Sequence, residues 1–274
     1  IAVGQQNPHH DYRRWEKERM PALDAALVAD LFDVVETAKS FKLFHNFIAL
    51  DAGKPVIIWL DAGVASQLMA AFCCYLFNRN GWDLNRLYTL SYPKADIVWM
   101  GLLGVLVDEK LRSRRPELRK LPSDDIDLYT KIWTDFAGSG LQKMLGTICG
   151  ERESDLTMGA LPYLRRRLPS RFNGLNEIEH DLLKYAIAGV PKAIYSIALA
   201  MGHDETPDMV GDLYLFARLK RFGSPDLKHP LIEIDNPTGH MRECQIRILP
   251  LAHEILAGRA SMIELNGLDD WLGG

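Results

Sequence analysis

PVIIWLDAGVASQLMAAFCCYLF, residues 55–77, is the stretch on which the fold class turns. Its first part, up to Asp61, is β-branched and aromatic with no helical period, which predicts a buried strand. Past Gly63 the apolar residues recur at helical spacing through Phe77, and residues 78–81 close that helix. The stretch is long enough to span a bilayer, but Asp61, Gly63, Ser66 and Gln67 interrupt it, and strand-then-helix accounts for it better. Residues 87–90 supply the next strand, and Tyr92-Pro93 turns the chain into an apolar segment at residues 95–107, too short to cross a membrane. A strand, a helix and a second strand predict an α/β unit with a Rossmann-like parallel sheet.

Outward from this unit, residues 11–47 read as helical, with Trp15, Met20, Leu23, Leu27, Leu31, Val34 and Val35 mostly three or four apart. Residues 110–120 hold six basic side chains against one acid, together with Pro116, and read as an exposed helix end and connector. Ser123-Asp124-Asp125 start a helix through residue 138 with Leu128, Ile132 and Trp133 on one face. Two short helices follow, and Pro169-Ser170 with Asn173-Gly174 mark a boundary between a domain at 1–170 and another at 171–274. In the second, Asn176 with Glu179 has capping-box spacing and starts a helix through Ala188. Residues 192–201 and 208–222 form two more helices, and residues 231–235 and 245–249 two strands around the turn-forming Asn236-Pro237-Thr238-Gly239. Three helices followed by a hairpin is the winged-helix order.

Several residues here resemble a bacterial family catalogued as domain of unknown function 1835. They are Ile255-Leu256-Ala257-Gly258-Arg259-Ala260, Leu265-Asn266-Gly267-Leu268-Asp269 and Trp271-Leu272-Gly273-Gly274 in the tail. Asn173-Gly174-Leu175 with Glu179, Gly211-Asp212 with Phe216 and Leu219, Pro230-Leu231, and Ile58-Trp59 with Gln67-Leu68 add to them. The resemblance implies an α/β domain followed by a mostly helical winged-helix-like one, without a known activity or cofactor. It also implies an earlier strand that nothing here matches, so the first strand of the sheet is expected to be missing from this sequence. Relatives carry acidic and His residues after the Trp, whereas this chain has Asp61 followed by Ala62, Gly63 and Ser66.

Charge narrows the function classes. The net charge is -4 over the 274 residues, so no global positive field draws in nucleic acid. Residues 151–274 are the more acidic part, so any phosphate contact there must be local. Arg165-Arg166-Arg167 with Arg171 is one such patch, its alternative being salt bridges to the acidic second domain. Arg218, Lys220 and Arg221 lie at the carboxyl end of the third helix, whose Met209, Val210, Leu213, Leu215 and Phe216 look like core or a protein-facing surface. Asp61, at a strand's carboxyl end, is the catalytic candidate of a hydrolase or transferase reading, or else a cap for the next helix.

His9-His10-Asp11 has metal-binding chemistry, but adjacent residues seldom face one ion and a solvated loop is the plainer reading. His203-Asp204-Glu205 reads as a turn or a cap for the third helix rather than a metal site. Gly101 and Gly104 are not followed by Gly-Lys-Ser/Thr, which excludes a P-loop there, and no metal or cofactor is assigned. The four cysteines, at 73, 74, 149 and 244, have no framework spacing and point to reduced thiols and a cytosolic location. The expectation is a cytosolic regulator or adaptor whose second domain contacts nucleic acid or a protein partner, with a pure interaction scaffold as a further alternative.

Overall fold

The computed structural model describes residues 54–61, 63–91, 117–150, 159–204, 206, 208 and 210–268. Strand β1 (Val56–Leu60) leads into helix α1 (Val64–Arg79), and a 3-10 turn at Leu84–Arg86 leads into β2 (Leu87–Ser91). β1 and β2 pair in parallel from Val56↔Leu87 to Leu60↔Ser91, as expected of a strand–helix–strand unit. Ile58 and Leu60 face inward onto α1, and the alternate residues Ile57 and Trp59 are exposed.

The third strand corrects the sequence reading twice. Residues 117–120, expected as connector, form β3 (Glu117–Lys120), and β3 runs antiparallel to β2, so the sheet is mixed, in the order β1-β2-β3. Among the described residues β3 is an edge strand, and the basic residues that obscured it are what an edge tolerates, since Arg119 and Lys120 are exposed and a charged edge resists pairing with other chains. Lys120 Nζ also donates to Asn85 Oδ1 at 2.9 Å.

Helices α2 (Ser123–Ser139) and α3 (Leu141–Gly150) complete the first core, with α2 packed along α1. Phe72 and Trp133 meet across that contact with ring centroids 4.6 Å apart. Pro122, not Ser123, occupies the cap position, and Asp124 and Asp125 favour the helix start through its dipole. Helix α1 has 16 residues, and among the described residues no helix is long and apolar enough to cross a membrane.

A 3-10 helix at Leu161–Arg167 buries Leu161 and Leu164 in this first core, and a second core begins at Leu175. The turn between them needs glycine. Gly174 has φ +76°, and an added Cβ would lie 2.7 Å from the Ile263 backbone nitrogen. The second core is formed by α4 (Glu177–Ala188), α5 (Ala193–Gly202), α6 (Asp212–Phe222), β4 (Ile232–Ile234), β5 (Ile246–Ile248), α7 (Pro250–Leu256) and α8 (Met262–Asn266). Asn176 accepts from Glu179 N at 2.8 Å and Glu179 Oε2 accepts from Asn176 N at 3.1 Å, the reciprocal box expected from their spacing. β4 and β5 pair antiparallel, from Ile232↔Ile248 to Ile234↔Ile246. Three helices and then a hairpin is the order read from the sequence, and the two short helices α7 and α8 follow it.

The helical reading of residues 11–47, His9-His10-Asp11, the apolar segment at 95–107 with its glycines, Glu205, Pro207, Met209 and the motif residues from Asp269 onward lie outside the described residues.

Candidate functional site

Helix α5, AIYSIALAMG, contains no charged side chain. Val190 and Pro191 end the preceding loop, and Lys192 at the cap position starts the helix without a side-chain cap. Only Ala193, Ser196 and Ile197 are buried, so one narrow stripe satisfies the core. The opposite side leaves Tyr195 50% and Leu199 37% exposed, with Ala198 and Gly202 also exposed between them and Val190 49% exposed beside the helix. A surface helix of a water-facing domain normally carries polar residues on that side. An uncharged, apolar outward side is the composition of an interface core.

The carboxyl end of α5 is fixed by aromatic stacking. The His203 ring lies 5.2 Å from that of Tyr185 on α4, and its Nδ1 donates to the Leu199 carbonyl at 2.8 Å. Neither residue featured in the sequence reading as part of a surface. The signal available was the ten-residue run without a charge, which exceeds what one buried stripe requires.

The arginine cluster divides. Arg166 is 7% exposed, with Nε donating to Glu177 Oε1 at 2.8 Å and Nη1 to both oxygens of Asp204 at 3.1 Å; it also bonds the Thr206 hydroxyl. Burial works against its charge, but the bonds to Glu177 and Asp204 outweigh that and raise its pKa. Arg167 grips Asp208 with two bonds, Nη2 to Oδ1 at 2.6 Å and Nε to Oδ2 at 3.0 Å, and the Asp208 side chain has 0% exposure. These two cations sit on the 3-10 helix of the first core and their partners in the second, so they tie the two together. Arg165 and Arg171 are exposed and are not in any of these pairs.

At the end of α6, Arg218 pairs with Glu179 at 3.4 Å and lies 5.1 Å over the Tyr214 ring. Lys220 lies 5.0 Å over Phe216, and burial pushes its pKa below the ordinary lysine value. Arg221 is half-buried, and Asp212 is the one exposed residue of the helix. Phe216 itself has 0% exposure, so of the two readings of this helix face, core and protein-facing surface, it takes the core one. Asp204 accepts from Thr206 N at 3.0 Å in a turn, and α6 starts at Gly211 with no side-chain cap, so the predicted cap is not formed.

Asp61 is partly exposed, and its Oδ1 accepts from Gly63 N at 2.8 Å and Ser66 Oγ at 2.5 Å. These bonds order the start of α1, and neither supplies a second acid or base. A cavity of about 250 Å³ lies between the arginine cluster and α4, where Arg166, Asp181, Tyr185, His203 and Asp204 are among its lining residues. Among the described residues no group of three His, Cys, Asp or Glu is arranged to hold a metal ion. Compared with known family models, curated proteins and solved structures, the chain matches none of them.

Proposed function

We propose that this chain is a cytosolic adaptor or regulator, with a Rossmann-like first domain over 1–170 and a winged-helix-like second domain over 171–274 that binds a protein partner. Two separate buried cores, one reaching Leu164 and the other starting at Leu175, support the two-domain reading. One observation carries the protein-binding reading: α5 turns Tyr195, Leu199 and their small neighbours outward with no charge among them. Phosphate recognition needs free cations, and Arg166, Arg167 and Arg218 are held in ion pairs while Lys220 lies against a ring. Within the two basic clusters, Arg165 and Arg171 have the exposure a phosphate contact needs.

The test is comparative co-purification from cells that make the protein, using the full chain, Leu199→Lys and, as a control on exposed surface, Lys184→Glu. The reading expects a partner retained by the full chain and the control and lost from Leu199→Lys. A set of co-purifying proteins identical in all three removes it.

A further inference from the structure

We infer that the cavity between the arginine cluster and α4 binds a small primary amine that carries an oxygen acceptor and an apolar body, the chemistry of an amino-acid amide. Its volume of about 250 Å³ is at the small end for ligand sites, which limits the ligand to the size of a simple metabolite. Glu177, Asp181 and Tyr185 are four residues apart along α4, so they line the cavity as one stripe. Arg166 and Asp204 add to its polar lining, and Ile178, Met201 and Leu215 to its apolar lining.

The charges select a cation. Three carboxylates, Glu177, Asp181 and Asp204, line the cavity against one guanidinium. Arg166 answers two of them, with Nε on Glu177 Oε1 and Nη1 on both oxygens of Asp204. Asp181 accepts no hydrogen bond among the described residues, and the ring nitrogen nearest it, His180 Nδ1, is 3.6 Å away. Its carboxylate is therefore open to an ammonium group, whereas phosphate or a lone carboxylate would meet an excess of negative charge.

A second observation comes from the guanidinium itself. The Arg166 side chain is 7% exposed, yet its Nη2 donates to no acceptor among the described residues and is not fully enclosed either. Arg166 lines the cavity, so Nη2 offers a ligand oxygen a donor that the bonds at Nε and Nη1 hold in place. The Tyr185 ring, stacked on His203 with centroids 5.2 Å apart, supplies a flat wall for the apolar body.

A ligand-observed NMR titration of the full chain with L-leucinamide, at about pH 6.5 where an α-ammonium keeps its proton, tests this. The expected result is saturable binding with a Kd on the order of 1 mM. Isopentylamine, which lacks the carbonyl, and N-acetyl-L-leucinamide, which lacks the charge, should each bind about tenfold more weakly or not at all. Asp181→Asn keeps the side-chain shape at a partly exposed position, so its melt without ligand should match the unaltered chain while leucinamide binding weakens about tenfold. No saturation by about 10 mM, a comparator that binds as tightly as leucinamide, or unchanged binding by Asp181→Asn overturns the inference. Tyr195 and Leu199 do not line the cavity, so such a failure leaves the protein-binding reading standing.

Discussion

Replacing Arg167 with methionine tests whether the paired arginines are structural. The Asp208 side chain has 0% exposure and both of its oxygens are bonded to Arg167, at 2.6 and 3.0 Å. Methionine keeps most of the volume and removes the charge, leaving a buried carboxylate without its cation. Removing one partner of a buried pair costs roughly 3–5 kcal/mol, and the small exposure of Arg167 lets some water in, so about 3 kcal/mol is expected. With a urea slope of about 2 kcal/mol/M, the midpoint should fall by roughly 1.5 M. The decisive comparison is Arg167→Met with Asp208→Leu. Two apolar groups of similar shape leave no unpaired charge, so the double variant should recover to within about 1 kcal/mol of the unaltered chain. Single variants that cost under about 1 kcal/mol, or a double variant as unstable as the sum of the singles, would refute the reasoning.

Three further outcomes follow from packing and electrostatics. Phe216→Ala should destabilise by about 3–5 kcal/mol in a urea melt, since the ring is fully enclosed. Burial raises the pKa of Asp135, but the bond from Thr147 Oγ1 at 2.6 Å and Lys143 Nζ at 2.9 Å outweigh this and hold it below the ordinary range. Its native form thus binds protons less tightly than the unfolded one, and its stabilisation is complete above about pH 4 and fades as pH falls further. Asp135→Asn should cost about 1 kcal/mol at pH 7 and little near pH 2, read by melts at the two pH values. Of the four cysteines, Cys149 is exposed and the others are buried, with burial pushing Cys73 up to about 12 and raising Cys74 and Cys244 as well. A thiol reagent on the native protein at pH 8 should therefore label one site quickly.

Local chemistry was legible in the sequence wherever a few neighbouring residues decide the structure. The break at Asp61 and Gly63 between strand and helix, the capping box of Asn176 and Glu179, and the glycine turn at Gly174 are set by spacing within a few residues. Strand β3 was not legible, because its pairing is with residues some thirty positions earlier and its basic edge resembles a solvated connector. The arginine run was visible, and salt bridges to the second domain were one of its two readings. Its specific partners, Glu177, Asp204 and Asp208, lie 11 to 41 residues away and become its partners through the fold. The same holds for α6, where composition could not show that Phe216 points inward and that Arg218 and Lys220 lie over rings. The α5 surface was missed because a short apolar helix reads as core until its exposure is known.

Photo-crosslinking bears most directly on the adaptor reading, with the photoreactive residue placed at position 195 in one chain and at position 171 in another, both irradiated in cells. The account predicts a protease-sensitive, nuclease-resistant adduct from position 195 and none from 171. A nuclease-sensitive adduct from 171, with position 195 silent, would contradict it and return the second domain to nucleic-acid binding.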